Sequence, residues 1–187
     1  MKTFYIALVC FILMLNSCEV DNSGTGFAGP SEINLRMNGG PYSGENFALQ
    51  STNFQDDLNF KIGNNLTRVF VEPLEERSNN RLVATSSINL AWSGSAIPGT
   101  YSAIFITDPL FTIAGSLVLQ FQNGDELLSN IPKGALITIS EYGEIGEAVV
   151  GQLTFTNQLD FMFNNRPGRV NNIDFVIDFK LKRGENY

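Results

Sequence analysis

Near the carboxyl end, residues 173–181 alternate without a break: Ile173, Phe175, Ile177, Phe179 and Leu181 share one parity, while Asp174, Asp178 and Lys180 hold the other together with Val176. Side chains of an extended strand point to opposite faces at a period of two, so this pattern specifies a long strand with one buried and one wet face. A helix would scatter the same apolar residues around its circumference. The period recurs upstream. Leu58, Phe60 and Ile62 alternate with Asp57, Asn59 and Lys61; Val69 and Val71 share a face; Ile88, Leu90 and Trp92 alternate with Asn89, Ala91 and Ser93. Leu117, Leu119 and Phe121 alternate with Val118, Gln120 and Gln122, and Ala135, Ile137 and Ile139 oppose Leu136, Thr138 and Ser140. Val149, Gly151, Leu153 and Phe155 resume the pattern after the turn Gly143-Glu144-Ile145-Gly146, which reads as a hairpin with a bulge.

Turn chemistry punctuates these runs. Asn38-Gly39-Gly40, Pro98-Gly99, Asn123-Gly124-Asp125, Pro132-Lys133-Gly134 and Asn164-Asn165-Arg166-Pro167-Gly168 each lie between apolar segments, and Asn and Gly tolerate the positive φ that tight hairpins need. No longer stretch sustains a 3.6-residue apolar period. Residues 74–81 have room for one helical turn but are too polar and Asn-rich for a core helix. The expected fold is all-β, with about ten antiparallel strands in a sandwich, a closed barrel being the alternative, since half-buried strands need a second sheet or closure. The final strand is the candidate sheet edge, with Lys180 and Lys182 as its guards.

The amino terminus has a different character. Lys2 precedes an apolar run over residues 4–15, about a dozen residues, which suits a signal peptide and falls short of the roughly 20 needed to span a bilayer. Leu15-Asn16-Ser17-Cys18 resembles a bacterial lipobox. That resemblance implies cleavage between Ser17 and Cys18, with diacylglycerol on the thiol and further acylation, such as palmitate, of the new terminus. A plain secretory signal cut near Ser17 and an uncleaved anchor are the alternatives. One acyl chain binds membranes only marginally, at about 0.8 kcal/mol per buried methylene, so two or three chains are what makes such an anchor stable. The expected organisation is a signal peptide over 1–17, a lipidated Cys18 with a small, polar, Gly-rich tether over 18–31, and one β domain over 32–187. The anchor would hold the domain on a membrane surface without crossing it.

Composition excludes several activities. Removing residues 1–17 from 187 leaves 170, enough for a single core, and loss of Lys2 takes the formal charge from −7 to −8. No Lys or Arg block forms a phosphate-binding stripe, which argues against nucleic acid as a partner. Cys10 lies in the signal and Cys18 is consumed by lipid, so no disulfide is expected. With no His in the chain, Ser-His-Asp and Cys-His catalysis and His-ligated zinc are absent from its repertoire. The acidic pairs Asp56-Asp57 and Glu75-Glu76 are candidates for calcium or for paired-carboxylate hydrolysis of a polysaccharide, but the spacing of a calcium loop is missing and both pairs read as solvated charge. Gly143, Gly146 and Gly151 lack the Lys-Ser/Thr of a phosphate loop. No catalytic residue, metal or cofactor is expected.

Tyr42, Tyr142 and Trp92 are the candidate ligand-binding residues, because a flat ring stacks on a sugar while neighbouring amides and carboxylates bind its hydroxyls. Trp92 shares parity with Ile88 and Leu90 and reads more readily as core, whereas Tyr42 and Tyr142 flank turns and read as the exposed rings.

Four segments carry a wider likeness: Pro98-Gly99-Thr100-Tyr101, Ile137-Thr138-Ile139-Ser140-Glu141-Tyr142-Gly143, Gly146 through Gly151-Gln152-Leu153-Thr154-Phe155, and the closing strand over residues 175–183. With the lipobox, they make the chain resemble the small β-rich lipoproteins of Bacteroidota envelopes. The resemblance implies a β domain on the outer membrane, on its periplasmic side or at the cell surface, and implies no activity. Glu19 and Asp21 resemble the acidic residues that mark such lipoproteins for the surface. The expected function is therefore a non-enzymatic binding or structural module with a protein or glycan partner. A polysaccharide-acting envelope enzyme is the alternative, and an accessory subunit of an outer-membrane complex is a third reading.

Overall fold

The structure of the protein, a computed structural model, describes residues 29–51, 61–63, 66–71, 74–77, 81–82, 86–93, 97–103, 106–107, 112–113 and 115–183. Every regular element among them is a strand: β1 (Glu32–Asn38), β2 (Asn46–Ser51), β3 (Lys61–Gly63), β4 (Leu66–Val71), β5 (Leu74–Glu76), β6 (Ser87–Ser93), β7 (Gly99–Ser102), β8 (Ile106–Thr107), β9 (Thr112–Ile113), β10 (Ser116–Gln120), β11 (Glu126–Asn130), β12 (Leu136–Tyr142), β13 (Ala148–Phe163) and β14 (Arg166–Lys182). All the pairings are antiparallel. The all-β fold follows from the alternation, and its buried parities are the expected ones: Ile173, Phe175, Ile177, Phe179 and Leu181 all lie in the core, as do Leu117, Leu119 and Phe121 and the trio Ala135, Ile137 and Ile139.

The sheet runs β3-β4-β6-β10-β11-β13-β14-β1-β2-β5, with β12 and β7 branching from β13, and it nearly closes into a barrel. One end of the sheet, β5, meets the chain just ahead of β6 at Ser86. The Leu74 amide of β5 donates to the Ser86 carbonyl at 2.8 Å, while the Ser86 hydroxyl donates to the Gln120 carbonyl and accepts from the Gln120 amide. Two other buried serines work at comparable seams. Ser31 takes the Lys182 amide on its hydroxyl and the Ser51 amide on its carbonyl, and Ser129 donates to the Gln158 carbonyl at 2.9 Å. A small hydroxyl can satisfy a buried backbone group where a ladder is interrupted, and these three serines do so at the seams.

The β13–β14 hairpin organises the rest. The first half of β13 pairs with β12 and the second half with β11. The change of partner falls at a bulge between Asn157 and Leu159, near Asn172, which adopts φ of 57°. A bulge adds a residue to one strand and sharpens the local twist, which lets one hairpin serve both branches. Asn164 and Asn165 form its two-residue turn with φ of 50° and 59°, the geometry that matches strand twist. The predicted turn was longer; Arg166, Pro167 and Gly168 belong to β14.

Two other expectations are corrected. Over residues 174–180 β14 is not an edge: β13 and β1 flank it, with β1 paired from Glu32↔Lys180 to Asn38↔Asp174. On that side β1 pairs with Lys180 and the Ser31 hydroxyl takes the Lys182 amide, so neither lysine guards an open edge. Residues 74–76 form β5, paired with β2, rather than a helical turn. The alternating segment at 57–62 is described only from Lys61, where β3 begins.

Candidate functional site

The domain has two unlike ends. The chain enters at Ser31 and Glu32, beside Gln50 and Lys180. The opposite end gathers the β1–β2 loop, the β10–β11 turn and the tip of the β13–β14 hairpin. From Lys180 to Arg166, fourteen residue steps along β14 cover on the order of 45 Å of strand contour at about 3.3 Å per residue.

Polar and aromatic side chains lock the three loops of this far end together. Asp125, buried in the β10–β11 turn, accepts from the Asn123 amide at 2.9 Å, the Asn164 backbone amide at 2.9 Å and the Tyr42 hydroxyl at 3.3 Å. Tyr42 lies flat on Phe121, with ring centroids 5.2 Å apart and planes 8° from parallel, and meets Phe47 and Phe163 edge-on. Burial, then the Asp125 charge and hydrogen bond, then Glu45 push the Tyr42 phenol up to about 12, against an opposing pull from Arg81. The loop reaches this position because Gly39, Gly40 and Gly44 take φ of 114°, 74° and 82°, a region costly for residues with a Cβ.

Arg81 adds a charged clamp. Its guanidinium forks onto Glu76 at 2.7 and 2.8 Å, touches Glu45 at 3.4 Å and lies 5.5 Å from the Phe47 ring centroid. The Glu76 hydrogen bonds hold the guanidinium above its ordinary value, against burial. The Glu76 side chain is only 2% exposed, so the expectation of solvated charge fails for this residue. Leu74 and Glu76 share the inward face of β5 while Glu75 lies on the other; the i, i+2 parity with Leu74 was the signal in the sequence. Glu75 and Glu76 therefore do not converge.

A shallow depression of about 650 Å³ opens beside this cluster, on the outer face of β11, β13 and β14. Cross-strand register builds it as two rows, Glu126–Met162–Pro167 and Leu128–Asp160–Arg169. The Arg169 guanidinium donates to Asp160 at 2.6 Å, a contact that holds the Asp160 carboxyl below its usual range against burial, with further help from the Gln158 amide. Met162 is 37% and Phe163 39% exposed. Phe161 has the opposite parity and packs on Gly168, where a Cβ would fall inside its ring. A second depression, about 510 Å³, lies over the polar outer face of β12, β13, β14 and β1; there Asp178 accepts from Arg36 at 2.7 Å and from Gln152 at 2.6 Å.

Comparison with known proteins gives no match to a family model, to a curated protein or to a solved structure.

The three aromatics singled out from the sequence do not form one surface. Trp92 is fully buried in β6. Tyr42 and Tyr142 are half-buried and packed against the core rather than exposed, the first on Phe121 and the second under the Arg183 guanidinium, 4.9 Å from its ring centroid. Ser17, Cys18, Asp56 and Asp57 lie outside the described residues. Among the described residues no cluster of three or more His, Cys, Asp or Glu is placed to hold a metal ion. Asp125, Arg81 and the Met162 depression were missed because each depends on which strands become neighbours.

Proposed function

We propose that the protein is a lipid-anchored lipoprotein of the cell envelope, of the small β-rich Bacteroidota kind, whose β domain binds a protein or glycan partner without catalysing a reaction. The anchor rests on Leu15-Asn16-Ser17-Cys18 at the end of the apolar segment. The observation that carries the binding role is the polarity of the domain: the chain enters beside Lys180, whereas the 650 Å³ depression and its exposed Met162 sit by the hairpin tip at the other end. A domain tethered at one end presents the other to whatever approaches, and anchoring raises the local concentration of the pair. The tip is held by Asp125 and Tyr42, so its surface is preorganised for contact.

The test joins both halves of the reading. Wild-type protein should incorporate labelled palmitate and fractionate with membranes, and Cys18→Ala should lose both properties. A photo-crosslinking residue at position 162 should give a discrete adduct in cells, and one at Lys180 should not. Palmitate-free protein that is nevertheless retained on membranes would end the lipid reading; equal adducts from both positions would end the far-end reading. Protease shaving of intact and lysed cells then tells the surface from the periplasmic side.

A further inference from the structure

We propose that the depression on the outer face of β11, β13 and β14 receives an extended segment of another protein that pairs a cationic side chain with apolar ones, an assignment that rests on the binding reading above. The argument starts from charge. Asp160 and Arg169 neutralise each other at 2.6 Å. Glu126, the remaining charged group of the lining, has no ion pair among the described residues, so the depression carries one uncompensated negative charge. Its cross-strand neighbours are Met162 and Pro167. A cation seated on Glu126 therefore has apolar surface beside it, and methionine adapts its shape to varied apolar partners. The volume falls inside the ~300–1,000 Å³ typical of ligand sites.

The backbone supplies the reason for an extended segment. β1 ends at Asn38, opposite Asp174. Among the described residues, positions 166–172 of β14 consequently pair with β13 alone, and the other side of that half-strand is a free edge next to the depression. An added strand can use such an edge for main-chain hydrogen bonds while alternate side chains reach the adjoining pocket. Pro167 offers no amide, and the alternation of an antiparallel hairpin turns the Gly168 amide toward Phe161 of β13, so the usable donors begin at Arg169. A second copy of this chain suits the edge poorly, because antiparallel self-pairing about its centre sets Arg169 directly opposite its counterpart. A sugar suits the depression less well than a peptide, because Phe161, the aromatic ring of its lining, packs on Gly168 and has the opposite parity to exposed Met162.

The test is a displayed library of random peptides panned on the full-length protein purified in detergent. Enriched peptides should place Lys or Arg within two residues of apolar side chains. Their affinity should fall about tenfold in Glu126→Lys and by a smaller factor in Glu126→Gln, and should weaken with salt, as expected for a charge at the rim of an interface. Met162→Ala should weaken them as well. Unchanged melting of each variant, expected because these side chains face outward, separates lost contacts from lost fold. Enrichment of acidic peptides, or binding indifferent to both Glu126→Lys and Met162→Ala, overturns the assignment. No enriched peptide, together with a glycan panel whose binding depends on Met162, overturns the peptide partner and leaves the binding role standing. Absence of peptide binding, glycan binding and the position-162 adduct removes both.

Discussion

Residues 148–155 of β13 run between β12 and β14, and their inward side chains Val149, Leu153 and Phe155 meet Ile177, Phe175 and their neighbours in a closed core. Residues 159–163 of the same strand run between β11 and the free-edged half of β14, where Met162 and Phe163 reach solvent. One hairpin thus has a base built for stability and a tip built from exposed apolar and charged groups. Apolar side chains alternate in both halves, so the difference comes from what covers each face. A strand pattern says which residues share a side; neighbouring strands decide whether that side is buried.

The sharpest way to break the comparison is Phe175→Asp at the base. It removes a ring stacked 4.6 Å from Phe155 and leaves a charge in the core. Losing such a ring costs about 3–5 kcal/mol before the buried charge is counted, against a total stability of roughly 5–15. The expected result is a chain without a cooperative melt, and wild-type melting would show the parity to be wrong. Next comes Arg81→Ala, which takes the guanidinium fork from buried Glu76; calorimetry should show a loss of about 1.5–3 kcal/mol, with Arg81→Lys intermediate because it cannot fork. Ser129→Ala, at the bulge between base and tip, should cost about 1 kcal/mol in denaturant unfolding, since it removes the donor to the Gln158 carbonyl.

Tyr42 gives a spectroscopic reading of the tip. Its ultraviolet titration should be centred at about 12 and move toward 10 in Asp125→Asn. Because the folded value lies above the unfolded one, Tyr42 contributes stability that is complete below pH 10 and is lost as pH rises through about 12. The smallest effect belongs to Asp160→Asn. Its folded value is depressed, so its contribution exists above the ordinary carboxylate range and fades as pH falls through the depressed value. The pair is exposed, and the change in melting should correspond to about 0–1 kcal/mol. A large loss would mean that the tip, like the base, is part of the core.

Much of the base is legible in the amino-acid pattern itself. The alternation of Ile173, Phe175, Ile177, Phe179 and Leu181 appears where the residues put it. The tip is less so. Glu126, Met162 and Pro167 lie 41 residues apart in the chain from first to last, and only the register of three strands aligns them. Asp125 reads as a turn residue, because its bonds to Tyr42 and Asn164 cross from loop to loop. The guanidinium fork that buries Glu76 likewise joins β5 to residues beyond it, and local polarity around residues 74–81 points the other way. Short-range chemistry specifies strands and turns; long-range pairing assembles sites.

The strand that carries the incoming chain also determines how this molecule would bear force. β1 lies between β14, paired along Glu32–Asn38, and β2, paired over Glu32–Arg36. A pull on the chain ahead of Ser31, resisted by something held at the hairpin tip, runs along β1 and returns along β14. These two strands would have to slide past each other lengthwise, with the rungs between them strained together rather than parted one at a time. A domain gripped at those two points is loaded in shear, the direction in which a ladder of hydrogen bonds is hardest to tear.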